Sequence, residues 1–289
     1  GIGSLVTKGL QYGVDFKGGR SYTVRFDNPV STVDIACQLK VVFETAPEVK
    51  TFGDGNQVKI VTSYKIDSND EKMDDIIEGK LFEGLSSTLG AKIDKEKFTE
   101  EYLMSSQKVG PTIADDIKTS SFWSVMASLV IIFLYILFRF RKWQYGLGAV
   151  IALFHDVLIV ISLFSIFYGI LPFSLEIDQA FIAAILTVVG YSINDTVVVF
   201  DRIRENLGSY KKQEFSSVIN SALNTTLSRT INTSLTTAFV LAAIFLFGGE
   251  VIIGFSFALL IGVIVGTYSS IFIASALMYD FDKRATKDI

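Results

Sequence analysis

Beyond about residue 120 the chain carries five long apolar stretches, and no other feature limits its fold as strongly. With their polar ends they cover 113–140, 144–171, 177–203, 229–248 and 251–279. At 1.5 Å of rise per residue, each is long enough to cross a hydrocarbon core of about 30 Å as a helix. Half of the chain is apolar (50%), with a mean hydropathy of +0.44. That excess sits after Gly110-Pro111, whereas the segment before it is dense in Lys, Asp and Glu. The sequence therefore predicts one domain for water and one for lipid.

Basic residues orient the spans. Arg139, Arg141 and Lys142 follow the first, Arg202, Arg204, Lys211 and Lys212 the third, and Lys283, Arg284 and Lys287 the fifth. The other two loops carry Glu176, Asp178 and Glu250 and no basic residue. By the positive-inside rule the three basic ends, including the tail 283–289, are cytoplasmic. Alternation then places residues 1 to about 112 outside.

Residues 20–110 read as a small α+β unit. The stretches 21–26 and 58–64 are rich in strand formers, with Asp54-Gly55-Asn56 as a turn before the second. Between them Ser31 and Asp34 resemble a capping box, followed by a helix through Val33, Cys37 and 39–43. A second helix from about Asp70 stripes Met73, Ile76, Ile77, Leu81, Leu85 and Leu89, and 98–109 reads as a closing strand. Strand, helix, strand pair, helix, strand is the order of a ferredoxin-like fold. Cys37 has no partner for an intramolecular disulfide and, spaced from Val33 and Val41, reads as a small core residue. The segment 216–228 reads either as an amphipathic helix at the cytoplasmic interface or as the extended start of the fourth span.

A net charge of −4 and a pI near 5.2 exclude a nucleic-acid partner, which needs clustered Lys and Arg. The chain has no HExxH pair, GxSxG elbow, phosphate loop or Cys/His cluster, so neither an intramembrane protease nor an ATPase is supported, and no metal site or cofactor is expected. It begins with Gly, and residues 1–10 lack the features of a signal peptide, so the start reads as a cut within a longer protein.

Ionised groups at membrane depth cost roughly 2.5–3.5 kcal/mol each on insertion scales, so each needs a reason. Asp195, in Gly190-Tyr191-Ser192-Ile193-Asn194-Asp195, lies seven residues before Arg202, or roughly 10 Å inside the cytoplasmic boundary. Arg229 opens the next span from the same side, so an Asp195–Arg229 contact is geometrically reasonable. Such an Asp can exchange protons, because burial and the guanidinium push its ionisation in opposite directions. The alternative is a permanent ion pair that fixes helix register. Tyr191, Ser192, Asn194, Thr196, Thr225, Thr226, Thr230, Asn232, Thr233 and Ser234 give the neighbourhood a hydrated character, although Ser and Thr also serve as interhelical glue. His155-Asp156 falls near mid-bilayer, with Asp156 the functional candidate and His155 structural; adjacent positions point about 100° apart, so no shared partner is expected. Gly262 and Gly266 form a GxxxG seam, and Gly18-Gly19 a tight turn.

Several blocks together resemble the SecF family, the smaller of the paired accessory subunits of the bacterial Sec protein-export machinery, within the RND superfamily. They are Gly13-Val14-Asp15-Phe16-Lys17-Gly18-Gly19, with Lys17 where Thr is usual, Val109-Gly110-Pro111, the stretch GYSINDTVVVFDRIREN over 190–206, Leu227-Ser228-Arg229-Thr230 and Gly266-Thr267-Tyr268-Ser269-Ser270. Only the first family helix is missing, apart from its tail within 1–19, which also holds the amino-terminal motif of Asp15, Phe16, Gly18 and Gly19. The resemblance implies an RND-type half bundle in the bacterial inner membrane, with the α+β domain in the periplasm. It further implies proton flow through Asp195, with Arg229 as counter-ion and Tyr191, Ser192 and Asn194 beside them; Asp156, His155, Thr226 and Thr230 are secondary candidates. Implied partners are SecD, separate or fused, the SecYEG translocon, YajC and exported polypeptide. Two other readings stay open: a related exporter of lipid or small molecules, and a non-transporting scaffold.

Overall fold

A computed structural model describes residues 1–287 except 54, 67, 69–70, 91–92, 172 and 211–212. Asp54 of the expected turn, the Asp70 helix start, Lys211, Lys212 and the last two residues of the tail thus lie outside the described residues. The chain forms two compact units: Gln11–Ser120 with Phe167–Gln179, and Gly1–Leu10 with Ser121–Ile166 and Ala180–Ile289.

The first unit is built on β1 (Gly19–Arg25), α1 (Thr32–Phe43), β2 (Glu48–Thr51), β3 (Gln57–Thr62), α2 (Glu71–Leu89) and β4 (Leu103–Val109). Its strands form one antiparallel sheet in the order β2-β3-β1-β4, the ferredoxin-like arrangement. Alternation on β1 and β3 sends Tyr22, Val24, Val58 and Ile60 to one face, where they pack with Ile35, Leu39 and Phe43 of α1 and Ile77, Leu81 and Leu85 of α2. Ser31 caps α1, its hydroxyl accepting from the Asp34 amide at 3.4 Å.

Two sequence expectations are corrected here. Cys37 is exposed, as are Val33 and Val41, at 68% and 84% of their accessible area. The core stripe is Ile35, Leu39 and Phe43, two residues out of phase with the expected one; two positions turn a helix by about 200°, to the opposite face. The closing strand begins at Leu103, because Phe98–Tyr102 forms a π-turn that buries Phe98.

The second unit holds α3 (Pro111–Phe140) from Ser121 on, α4 (Trp143–Phe167) up to Ile166, α5 (Gln179–Ser209) from Ala180 on and α6 (Phe215–Phe247), followed by α7 (Glu250–Ser269), a π-turn Ser270–Ala274 and α8 (Ser275–Lys287). Among the described residues, five helices are long and apolar enough to cross a membrane, the last being Ile252–Lys283. Large apolar side chains such as Phe122, Phe138, Phe239 and Phe247 face outward, which suits lipid rather than water. The stretch 216–228 is the beginning of α6 and no separate helix. The second span was expected to run to Leu171 and the third to start at Ile177. Instead α4 ends at Phe167 and α5 begins at Gln179, and the connecting loop packs as part of the ferredoxin-like unit. Gly262 and Gly266 form a close seam against α5: a Cβ on Gly262 would fall 2.1 Å from Val188 Cγ2, and one on Gly266 2.9 Å from Ser192 Cβ.

Candidate functional site

The seam sets the chemistry of the bundle interior. With α7 pressed against α5 at Val188 and Ser192, the residues just beyond Gly266 meet the polar face of α5. That face holds Ser192, Asp195 and Thr196, all buried, while Tyr191 is half-buried and Asn194 points outward.

Two carboxylates are held there in different ways. Asp156 on α4 is 1% exposed, and its Oδ2 accepts from the hydroxyls of Ser192 and Ser269, each at 2.7 Å. Its Oδ1 lies 3.1 Å from His155 Nδ1. Asp156 thus joins α4, α5 and α7 through short bonds that a carboxylate receives best when ionised. Although adjacent helix positions diverge by about 100°, the His155 ring turns back onto its neighbour, so His155 is the partner of Asp156.

Asp195 is also buried, but the one side-chain hydrogen bond it receives among the described residues comes from Ser234 Oγ of α6, at 3.3 Å. The same hydroxyl lies 2.9 Å from the Thr230 carbonyl and 2.6 Å from Thr267 Oγ1 of α7, which is itself 2.7 Å from the Val263 carbonyl. A hydroxyl has one proton to give, so Ser234 serves either Asp195 or the Thr230 carbonyl, and Thr267 chooses similarly. The donor of Asp195 is switchable, whereas the bonds of Asp156 are short and numerous.

Arg229 is not in contact with Asp195. No ion pair joins them among the described residues, and the Arg229 side chain faces outward. The reason is helical phase: Ala222, Thr226, Thr230 and Ser234, four residues apart, turn inward, and position 229 sits about 100° away from position 230. Arg229 lines a cleft of about 810 Å³ with Arg139, Asp201, Arg202, Arg204 and Thr225, which reaches Val198, one turn along α5 from Asp195. Arg139 and Arg204 pair with Asp201 at 2.8 and 2.9 Å and Arg202 with Glu205 at 2.8 Å, so Arg229 is the cleft's one arginine without an acidic partner among the described residues. Thr226 bonds to carbonyls of its own helix, and the buried Thr230 hydroxyl has no partner among the described residues. Tyr191 reaches Thr237 at 3.4 Å.

Ser269 and Thr267 were not among the site candidates, and Ser234 was counted only among the hydroxyls. The GxxxG seam was the available signal, since the residues after Gly266 must meet whatever α5 presents there.

The amino-terminal motif lies in the other unit. Gly18 and Gly19 have φ of +72° and +142°, conformations that side chains resist, and they turn the chain from a short helix straight into β1. Asp15 and Phe16 are buried. Asp15 Oδ1 accepts from Gln107 Nε2 at 2.8 Å and Oδ2 from the Gln179 amide at 3.0 Å. Lys17 is exposed, so its side chain makes no demand on the motif.

A family model described as "Protein export membrane protein SecD/SecF, C-terminal" matches residues 90–284, and another, "SecD/SecF GG Motif", matches 3–30. The chain is 46% identical to the protein translocase subunit SecF of Rhodothermus marinus over 284 residues, covering 98% of this chain and 87% of that one. It is 37% identical to the protein of that name from Sebaldella termitidis over 281 residues, covering 96% and 83%. Among solved structures it is similar to SecDF, a translocon-associated membrane protein, from Thermus thermophilus, with a TM-score of 0.79 at 31% identity. That match covers 98% of this chain but 36% of the SecDF chain, so this chain spans about a third of it.

Proposed function

Since this chain belongs to the SecD/SecF family of protein-export membrane proteins, we propose that it is a transport subunit that couples proton flow to late-stage export of polypeptide. The observation that carries this reading is the environment of Asp195: a buried carboxylate with one shared hydroxyl donor, near an arginine-lined cleft. When Asp195 is charged, Ser234 turns its proton to it. When Asp195 takes up a proton it becomes a donor, and Ser234 is free to satisfy the Thr230 carbonyl. Each protonation event thus rearranges contacts among α5, α6 and α7. Arg229 supplies a fixed positive charge in the adjoining cleft without forming a contact pair with Asp195.

The ferredoxin-like domain is assigned to the periplasm and the basic helix ends to the cytoplasm of a bacterial inner-membrane protein. Because the chain corresponds to about a third of SecDF, the working assembly includes SecD, as subunit or fused half, with SecYEG, YajC and exported polypeptide as further partners. No enzymatic step is assigned.

The test is Asp195→Asn in the assembled complex. Proton flux and export both fall while membrane level and partner association hold. Full export by that variant would leave a scaffold as the reading. Crosslinks from the soluble domain to secreted precursors favour polypeptide over lipid or small molecules as cargo.

A further inference from the structure

The loop between α4 and α5 joins the helices that carry Asp156 and Asp195, yet it packs within the ferredoxin-like unit. Four kinds of contact hold it there. The Gly13 amide donates to the Ile177 carbonyl at 2.9 Å and the Ile177 amide to the Gln11 carbonyl at 2.8 Å, a parallel bridge beside Tyr12. Glu176, 7% exposed, takes Lys59 Nζ at 2.7 Å on one oxygen and Lys50 Nζ at 3.0 Å on the other. The Lys50 ammonium also lies 5.2 Å over the Tyr168 ring. Finally, Asp15 accepts from the amide of Gln179, the first residue of α5.

The last contact gives the amino-terminal motif a physical task. First-turn amides of a helix have no partner within it, and a carboxylate placed there satisfies one of them and meets the positive end of the helix dipole. Here the cap comes from a residue more than 160 positions away in sequence. Gln107 of β4 holds the other oxygen, and the Gly18-Gly19 turn lets β1 follow directly. Lys50 and Lys59 lie on β2 and β3, so Glu176 fastens the loop to two neighbouring strands of the sheet.

We propose that Asp15 and Glu176 form a clasp that makes the head of α5 part of the soluble domain, so that movement of α5 caused by protonation of Asp195 is delivered to that domain. Asp15 and Glu176 are positioning residues, outside the proton site. The proposal rests on the proton-coupled function above and predicts that the clasp stays shut during the cycle.

The experiment uses the full chain with its partner subunit, in a Cys37→Ser background, with proton flux and export measured separately. In Asp15→Ala combined with Glu176→Ala, proton flux and membrane level hold while export falls about 5-fold to 150-fold, the range spanned by coupling between two sites. In Lys59→Cys combined with Glu176→Cys, export is low with free thiols and returns when a short bis-maleimide joins the pair. Three results overturn the clasp: equal loss of flux and export, which marks a purely structural role; undiminished export in the double alanine variant; or a bridge that fails to restore export. Asp195→Asn run alongside keeps the two ideas apart, because normal export by that variant defeats the proton reading whatever the clasp variants do.

Discussion

Ser192 gives its hydroxyl proton to Asp156 at 2.7 Å and stands one turn of α5 from Asp195. One helix face therefore meets two buried carboxylates, one held by several short bonds and the other by a single shared donor. Ser192→Ala leaves a buried carboxylate one donor short. The cost is about 1.5–3 kcal/mol, as for hydrogen bonds to charged groups. Thermal unfolding of the purified complex in detergent measures it, and an unchanged midpoint would show that the joint carries no load.

Ser234 gives a different result. Ser234→Ala removes the donor of Asp195, and with it the link to Thr267. Export is expected to fall about 10-fold to 150-fold, the rate equivalent of about 1.5–3 kcal/mol. Ser234→Thr, which keeps a hydroxyl, restores most of it. Comparable loss in both variants would mean that packing, not the hydroxyl, matters at this position.

Steric fit at the seam predicts a third outcome. A Cβ at Gly262 would fall inside the Val188 side chain, so Gly262→Ala pushes α7 away from α5. Overpacking of this kind costs about 1–3 kcal/mol. Gly262→Ala combined with Val188→Ala recovers stability, as a melting curve will show; failure to recover would place the clash elsewhere.

Glu176 makes the clasp sensitive to acid. Burial raises its carboxyl, but Lys59 and then Lys50 outweigh burial and hold it below its ordinary value of 4.5. A depressed folded value means that the stabilisation is fully present above about pH 4.5 and is lost as pH falls through the lower folded value. Hydrogen exchange of the 173–179 amides, corrected for intrinsic rate, should therefore accelerate on acidification below pH 4.5. In Glu176→Gln it should be faster at neutral pH and flat across that range.

Much of this was legible in the sequence because it is periodic. The apolar runs revealed the five helices, and the strand and helix order revealed the ferredoxin-like domain. Phase was harder: Val33, Cys37 and Val41 repeat as regularly as Ile35, Leu39 and Phe43, and only the sheet decides which set is buried. Arg229 shows the same difficulty in the bundle, where depth was predictable but rotation about the axis was not. The clasp was not legible, since Asp15 and Gln179 are brought together by tertiary packing and neither local pattern refers to the other.

Directly after Ser269, the fifth spanning helix widens into a π-turn over Ser270–Ala274 before resuming as α8. A widened turn holds one surplus residue, a small store of slack in an otherwise taut rod. Sliding that surplus along the chain by one position turns the residue it passes by about 100° and leaves the helix on either side as it was, with the number of backbone hydrogen bonds kept. Side chains just beyond Ser269 can thus be re-aimed one at a time while Ser269 stays fastened to Asp156.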